Sequence, residues 1–276
     1  MILEMHCHTA EHSECSHVHA AEVVQHNYDI GLQGTVLTDH HYLWPPEEIE
    51  ELRRNLKVPD HYLILSGQEV SAKGWGDVLV FGADRSLEKG TSLGEIRGRF
   101  PGAAIVWAHP YRHEKIPRRE KLSDPLIHAV EIFSSNHTVA ESTRALRDWH
   151  ELKFTAIAGT DTHALSYAGL YPTLFDHPVS TAAELAGEIR ARRCRPFFRE
   201  VPRSGTSDTV VTEVTVGTGG RGDAPEKFII KKHRDFRSWH AAEQKSRVME
   251  EIRGRGFGGG RFRLPKPLGN DRESLI

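Results

Sequence analysis

Apolar and polar positions along the first 198 residues follow two patterns, short apolar runs and longer segments with a helical period. Segments such as "HAAEVVQHNYDIGLQG", which ends in glycine, and "PPEEIEELRRNL" predict amphipathic helices. Strands that alternate with helices indicate parallel pairing and an α/β fold. The third and fourth strands, joined by "KGWG", instead predict a hairpin. The seven predicted strands are "ILEMHCH", "GTVLTDHH", "YLILSGQEVSA", "DVLVFGA", "AAIVWAHPY", "AVEIFSS" and "TAIAGTDTHA".

The pattern changes near residue 200. "TVVTEVTVG" and "EKFIIKKHR" predict strands, and "SWHAAEQKSRVMEEIRGRGFGGG" predicts a helix with a glycine stop. This part carries 15 Lys and Arg against 10 Asp and Glu. We therefore predict two domains, an α/β domain over residues 1–200 and a small, basic α+β appendage over residues 201–276.

Composition narrows the class of protein. The chain has 276 residues, 38% hydrophobic and 27% charged, with a formal net charge of −2. A net charge so near zero, and the lack of a segment that combines basic and aromatic residues, do not favour a long nucleic acid as a partner. No apolar run is long enough to span a membrane, no signal peptide is evident, and three cysteines make no disulfide framework, so we expect a cytoplasmic protein. The unusual number is 18 histidines.

Histidines and carboxylates recur at the downstream ends of the predicted strands. Such ends converge at one mouth of an α/β barrel, so these side chains are expected to form one mixed nitrogen and oxygen site. Imidazole and carboxylate ligands suit Zn, Mn or Fe. The residues are His6 and His8, then Asp39, His40 and His41, then Glu69, His109, Asn136 and His137, and finally Asp161 and His163.

Five of these motifs, in their order, resemble a known family. "HCHTAEHSECS", "TDHH", "GQEVSA", "AHPYR" and "GTDTH" look like the PHP (polymerase and histidinol phosphatase) metal-dependent phosphoesterases over roughly residues 1–198. The resemblance implies a distorted seven-stranded (β/α)7 barrel, a relative of the TIM barrel, with two or three divalent metal ions at its mouth.

The resemblance also implies ligands for two of these ions. The first would be held by His6, His8, Glu69 and Asp161. Glu69 would bridge to a second ion, completed by His109 and a ligand from "SSNH". That ligand is either Asn136 or His137, and we favour His137.

A third ion would lie on His40, His163 and a residue of the "EHSEC" loop. Glu14 is the nearest match to the family pattern, and His12 and His17 stay open as alternatives. A position that the family often fills with His in the strand after the bridging glutamate is Asp77 here.

Hydrolysis of a small phosphate ester is the reaction we expect of such a centre. A metal-bound hydroxide would attack phosphorus in line, because a bound cation lowers the pKa of water from 15.7 to about 7. Glu69 would bridge the ions, and His40, His41 or His163 could give a proton to the leaving alcohol if it is not committed to a metal ion. Asp39 would orient a ligand histidine, and Arg112 would bind the phosphate.

Three other interpretations of the motifs are open. An amidohydrolase-type barrel also begins with His-x-His, but a mid-chain lysine would then be expected where Glu69 stands. "TDHH" resembles a motif of the DHH phosphoesterases, which need aspartate pairs on earlier strands. A non-catalytic, metal-binding regulatory module is the third alternative.

Residues 201–276 resemble the opening of an aminoglycoside-phosphotransferase-like kinase lobe. That resemblance implies a phosphate-binding role for Lys231 on a strand and a helical partner, Glu243. The alternative, which we favour, is a small appendage that packs on the barrel or mediates assembly.

Overall fold

Most of the backbone is described in a computed structural model, which covers residues 1–197, 199–206, 209–216, 226–233, 236–254 and 274–275. Two compact units make up the chain, Met1–Ala145 with Phe154–Phe197 and Leu146–Lys153 with Phe198–Ile276. None of the described helices has the length and apolar character that a membrane crossing requires.

A mixed sheet of nine strands organises the first unit. Their order in the sheet is β7-β6-β5-β4-β3-β2-β1-β8-β9. The strands are β1 (Ile2–Glu4), β2 (Gly34–Leu37), β3 (Leu63–Ala72), β4 (Gly76–Phe81), β5 (Ala104–Trp107), β6 (Ala129–Phe133), β7 (Ala156–Ala158), β8 (Thr173–Phe175) and β9 (Cys194–Pro196).

The pairing confirms the α/β fold but not the expected count of seven strands. Strands β1, β2 and β3 pair in parallel, as do β5, β6 and β7, whereas β4 is antiparallel to both of its neighbours. The predicted hairpin is therefore present as β3 and β4. The additional strands β8 and β9 pair antiparallel on the β1 side of the sheet.

The sheet nearly closes into a barrel where the chain leaves β1 and β7. Cys7 forms a parallel bridge with Thr162 beyond the ends of both strands. The amide of His8 donates to the carbonyl oxygen of Thr162 at 3.1 Å, and the amide of Asp161 donates to that of His6 at 2.7 Å. The first and last of the seven predicted strands thus meet at their carboxyl ends.

Helices follow the strands along the chain, and those over residues 20–29 and 46–54 lie where the periodicity predicts them. Helix α1 is followed by Gly31 with a φ of +91°, a conformation that glycine adopts at little cost. Ser92 caps α3 by accepting from the Glu95 amide. The helices are α1 (Ala20–Asp29), α2 (Pro46–Arg54), α3 (Leu93–Arg99), α4 (Arg119–Leu122), α5 (Val139–Leu152) and α6 (Ala182–Arg190), with a 3₁₀ turn at Leu165–Tyr167.

Apolar packing holds the helices on the sheet. One buried cluster joins Leu3, Val36 and Ile157 of the strands to Leu185 and Ile189 of α6. A second cluster packs α1 against the end of β2. Burying an aliphatic side chain of this size contributes about 1.5–3 kcal/mol. The strand ends above these clusters are therefore held on a rigid frame.

The second unit contains a four-stranded antiparallel sheet in the order β10-β11-β12-β13 and one long helix. Glu243 of the helix pairs with Arg247 at 2.8 Å, one turn further on, and Lys231 is exposed. The kinase-lobe resemblance stays a prediction, and the predicted glycine stop beyond residue 254 lies outside the described residues. The elements are β10 (Arg199–Thr206), β11 (Thr209–Val216), β12 (Glu226–His233), α7 (Phe236–Gly254) and β13 (Ser274–Leu275).

Candidate metal centre

Four buried side chains from three strand ends converge at the mouth of the barrel. His6 Nε2 and His8 Nε2 lie 3.2 Å apart. Each faces Glu69 Oε2, at 3.5 and 3.1 Å, and Asp161 Oδ1, also at 3.5 and 3.1 Å. A tetrahedral cation with bonds of about 2.1 Å separates its ligand atoms by about 3.4 Å. The donor types and their spacing therefore fit a divalent metal ion.

The two carboxylate oxygens of Glu69 face different sets of nitrogen atoms. Oε2 faces His6, His8 and also His40 Nδ1, the last at 3.1 Å. Oε1 lies 3.0 Å from His109 Nε2. Glu69 and His109 form a second group of possible ligands with Asp77, whose carboxylate also accepts from a nearby serine. Glu69 is thus placed to join two cation positions.

A third group consists of His8, Cys15 and His40, with their ligand atoms within 4.8 Å of one another. We expected Glu14 in this place. The structure turns Glu14 outward and places its neighbour Cys15 beside the histidines. The ring of His163 lies 4.8 Å from that of His8, so the expected His163 is near this group.

The loop after β6 presents Asn136, and not the favoured His137, to the cluster. The side-chain amide of Asn136 donates to Asp161 Oδ2. The ring of His137 instead lies edge-on to Tyr111, with centroids 6.0 Å apart, and it belongs to none of the three ligand groups found among the described residues. Burial lowers the pKa of His137.

Asp39 contacts the first loop and not a ligand histidine. It accepts hydrogen bonds from the amide of Thr9 at 2.7 Å, the hydroxyl of Ser13 at 2.5 Å and the indole of Trp44 at 2.7 Å. Ser13 Oγ lies 3.3 Å from His8 Nδ1. Asp39 therefore orients His8 through Ser13, one residue further removed than we expected.

Glu131 is a central residue that the sequence analysis missed. Its Oε1 lies 2.9 Å from His6 Nδ1, and its Oε2 accepts from the amide of His109 at 2.8 Å. A carboxylate on the far nitrogen of a ligand histidine sets its tautomer and its orientation. The sequence contained a signal for this residue, because glutamate is uncommon in strands and is rarely buried without a partner, yet it stands inside the apolar run "AVEIF".

Gly159 makes room for this pair. A Cβ at that position would lie 2.5 Å from His6 Cβ and would overlap Glu131 Oε1. Only glycine allows β7 to approach the two side chains so closely.

Glu4 is a second buried carboxylate that was missed, again inside an apolar run. It accepts from the amides of Met5, His6 and Thr160 at 2.8–2.9 Å, and from the Thr160 hydroxyl. Burial raises the pKa of Glu4 to about 7 in spite of these hydrogen bonds. Its contacts tie the end of β1 to the end of β7.

The charges of the cluster compensate one another. Burial alone would lower the pKa of an imidazole. It is outweighed at His8, where contacts with Asp161 and Glu69 raise the pKa to about 9, and at His6, where Asp161, Glu131 and Glu69 raise it well above its ordinary value. Burial is likewise outweighed for Glu69 and Asp161, whose pKa values are lowered by the neighbouring histidines. The buried carboxylates of Glu69 and Asp161 are thus stabilised by positive charge in the pocket, which protons on the histidines or a bound cation can supply.

Two histidines form the solvent-facing rim. The side chains of His40 and His163 are 38% and 33% exposed. Burial lowers the pKa of both, which keeps their rings neutral. Arg112, half-buried, follows β5 on a turn in which its amide donates to the carbonyl oxygen of His109. His41 contacts the Leu87 carbonyl instead of the cluster.

Three strand-end residues adopt positive φ angles that side chains other than glycine rarely take. The angles are +57° at His41, +28° at His109 and +57° at Asp161. Such conformations cost roughly 1–3 kcal/mol each and cluster at functional sites, where the surrounding structure enforces them. At His109 and Asp161 the sharp turn aims the side chain into the cluster.

Comparison with known proteins shows a similarity over part of the chain. A family model described as PHP-associated matches residues 141–194. The crystal structure of PsfC from Pseudomonas syringae is similar with a TM-score of 0.52 and 16% identity, over 72% of this chain and 91% of PsfC. No curated protein sequence matches the chain at a significant level.

Two further solved structures are similar at lower scores, each over 69% of this chain and 96% of its own. One is from Bifidobacterium adolescentis, provisionally named a metal-dependent phosphoesterase, with a TM-score of 0.46 and 14% identity. The other is an amidohydrolase from Chromobacterium violaceum with bound sulfate and no metal, with a TM-score of 0.48 and 15% identity.

An α/β barrel whose mouth gathers imidazoles and carboxylates defines a class of proteins built around a metal centre. The match of residues 141–194 to a PHP-associated family model supports the resemblance to the PHP family that the ordered motifs indicate.

Proposed function

We propose that the protein is a metal-dependent hydrolase that cleaves a small phosphate ester. The observation that carries this proposal is the division of the Glu69 carboxylate between two sets of nitrogen donors. A carboxylate in that position can bridge two cations, and paired cations are typical of enzymes that hydrolyse phosphate esters. Bound at this centre, the metal would neutralise phosphate charge and activate water.

The residues of the chain prepare this centre before any substrate arrives. Glu131 holds His6 through Nδ1, and Ser13 holds His8 through Nδ1. In both histidines Nε2 is therefore left to face the pocket. Because both partners are buried, the two rings keep one orientation, and little reorganisation accompanies cation binding.

Substrate would enter at the rim. His40 and His163 are partly exposed there, and their neutral rings suit a ligand role better than that of a proton donor at neutral pH. We propose that Arg112, three residues after His109, binds the phosphate through two parallel hydrogen bonds. An anionic substrate would suit this guanidinium better than a neutral amide.

A substrate screen tests the proposal. Purified protein, first treated with chelator, is assayed on a panel of small phosphate esters with Mn²⁺, Zn²⁺, Fe²⁺ and Mg²⁺ added separately, and on an amide and lactone panel. We expect metal-dependent release of phosphate. Glu69→Gln should abolish it while the far-UV circular dichroism is retained, and Glu50→Gln, on the exposed face of α2, should leave it unchanged. Turnover of amides or lactones without turnover of any phosphate ester would contradict the assignment.

A further inference from the structure

We propose that Cys15 supplies a sulfur ligand to a cation bound at the His8 and His40 edge of the centre. This edge would then prefer thiophilic metals such as Zn²⁺, Co²⁺ and Cd²⁺ over Mn²⁺ or Mg²⁺. The inference rests on the proposed metal-dependent function and concerns which donor atom and which metal the centre uses. Its geometric basis is the approach of the Cys15 thiol and one ring nitrogen of each histidine to within 4.8 Å of one another.

The loop that carries Cys15 is tied to the centre on both sides of the thiol. Upstream, Ser13 is buried and bonds to both Asp39 and His8. Downstream, the Ser16 hydroxyl donates to the backbone oxygen of His8 at 3.0 Å. Because two neighbours of Cys15 are bound to the ligand His8 or to its support, the position of the thiol over the imidazoles is determined by the fold of the loop.

The same loop has a further attachment near the rim. The amide of His17 donates to the backbone oxygen of His163 at 3.3 Å. The carboxylate of Glu14, in contrast, is exposed and lies in none of the ligand groups among the described residues. The position where the motif predicted the carboxylate oxygen of Glu14, a hard donor, is therefore occupied by the sulfur of Cys15, a soft donor.

Donor softness decides which cations such an edge favours. Thiolate ligands select Zn²⁺ and other thiophilic ions, whereas sites of carboxylate and water suit Mg²⁺ and Mn²⁺. On binding, the S–H bond is broken, its proton passes to solvent, and a sulfur–metal bond forms. The ligand groups that share Glu69 contain only oxygen and nitrogen donors. The preference for thiophilic metals would therefore be confined to the edge formed by His8, Cys15 and His40.

The other two cysteines make Cys15 easy to observe. Cys7 is fully buried, with its thiol 3.3 Å from the Val36 carbonyl oxygen, and Cys194 is 8% exposed. Cys15 is the one exposed thiol of the chain. A thiol reagent added to the folded protein should therefore label this residue first.

Two measurements on the intact protein test the inference. The first is the rate of Cys15 labelling by 5,5′-dithiobis(2-nitrobenzoate) with and without Zn²⁺ or Co²⁺. The second is the absorption spectrum of the Co²⁺-loaded protein. We expect the metal to slow labelling at least about tenfold, and we expect a near-ultraviolet thiolate-to-cobalt charge-transfer band. Mn²⁺ should protect far less.

Three variants separate the donors. Cys15→Ser should abolish the charge-transfer band and weaken Cd²⁺ binding by about tenfold or more, since loss of a residue that merely supports a ligand already costs that much. The affinity for Mn²⁺ should change little. Glu14→Gln and Cys194→Ser should keep the band. Co²⁺ bound without the band, and with Cys15 still reactive, would overturn this inference while leaving the metal centre in place. Failure to bind any divalent cation would overturn both.

Discussion

Gly159→Ala is the sharpest perturbation that the structure offers at the centre. The new methyl group would lie 2.5 Å from His6 Cβ, where ordinary van der Waals contact begins near 3.4 Å, and it would also overlap the Glu131 carboxylate. The backbone cannot easily retreat, because the Gly159 amide donates to the Phe133 carbonyl oxygen at 3.1 Å. His6 or Glu131 must therefore move by about 1 Å.

This overlap should lower both the stability of the protein and its affinity for metal. Overpacking a well-packed interior by one methyl group typically costs about 1–3 kcal/mol. For a unit of this size, a loss of that magnitude lowers the Tm by about 2–12 °C. Because His6 loses its carboxylate support, metal affinity should also fall by about 10–100-fold.

Thermal unfolding and a competition titration with a chromophoric chelator measure the two effects. Gly187→Ala is the matched control, since a Cβ there meets no atom within 4 Å and lies on helix α6. It should leave metal affinity unchanged and leave the Tm unchanged or slightly raised. In a Glu131→Asp background, where the carboxylate is withdrawn, part of the cost of Gly159→Ala should disappear. Wild-type Tm and wild-type metal affinity in Gly159→Ala would refute the close packing of this pair.

Three more predictions follow from the contacts of the cluster. Glu69→Ala should weaken the binding of the first cation by well over tenfold and also lower the occupancy of the second, as measured by isothermal titration and metal analysis; loss of one ion with the other untouched would contradict a shared carboxylate. Ser13→Ala should lower metal affinity by about tenfold and the free energy of unfolding by about 1–3 kcal/mol, since it leaves Asp39 short of a donor; a change confined to stability would argue against its role in orienting His8. Metal affinity should rise between pH 7 and 9, because His8 in the metal-free protein has a pKa of about 9, the pKa of His6 is also raised, and both must lose a proton to bind; this rise is at most about tenfold per pH unit for each proton displaced, and equal Mn²⁺ affinity at pH 7 and 9 would contradict it.

Periodicity was sufficient for the elements that bury a long apolar face. The seven predicted strands and the β3–β4 hairpin are present, because each lies in a recognisable sequence run, such as "ILEMHCH" around the three residues of β1. Strands β8 and β9, "TLF" and "CRP", have three residues each and no such run around them. They depend on the pairing of β8 with β1 and of β9 with β8, which no local pattern reveals.

The polar residues divide in a similar way. Those at strand ends, such as His6, His8 and Asp161, were accessible because parallel strands bring their carboxyl ends to one edge. Glu4 and Glu131 lie inside apolar runs of the sequence, so a search for polar residues after such runs does not find them. Their partners are 156 and 125 residues distant in the chain, so only the closed barrel shows why these carboxylates are buried.

The exchange of Glu14 for Cys15 has a different cause. Which of two adjacent side chains faces inward depends on the dihedral angles of one loop. Composition and spacing carry no information at that scale, whereas the bonds from Ser13 and Ser16 decide it.

The contact between the ends of β1 and β7 gives the protein a built-in reporter. The amides of His8 and Asp161 cross this seam, and both residues carry side chains of the candidate cation pocket. Any breathing motion that parts the seam also dismantles the pocket, so a bound ion must slow deuterium uptake at these two amides more than at others. Cation binding and closure of the barrel between β1 and β7 are therefore coupled, and either one can be used to measure the other.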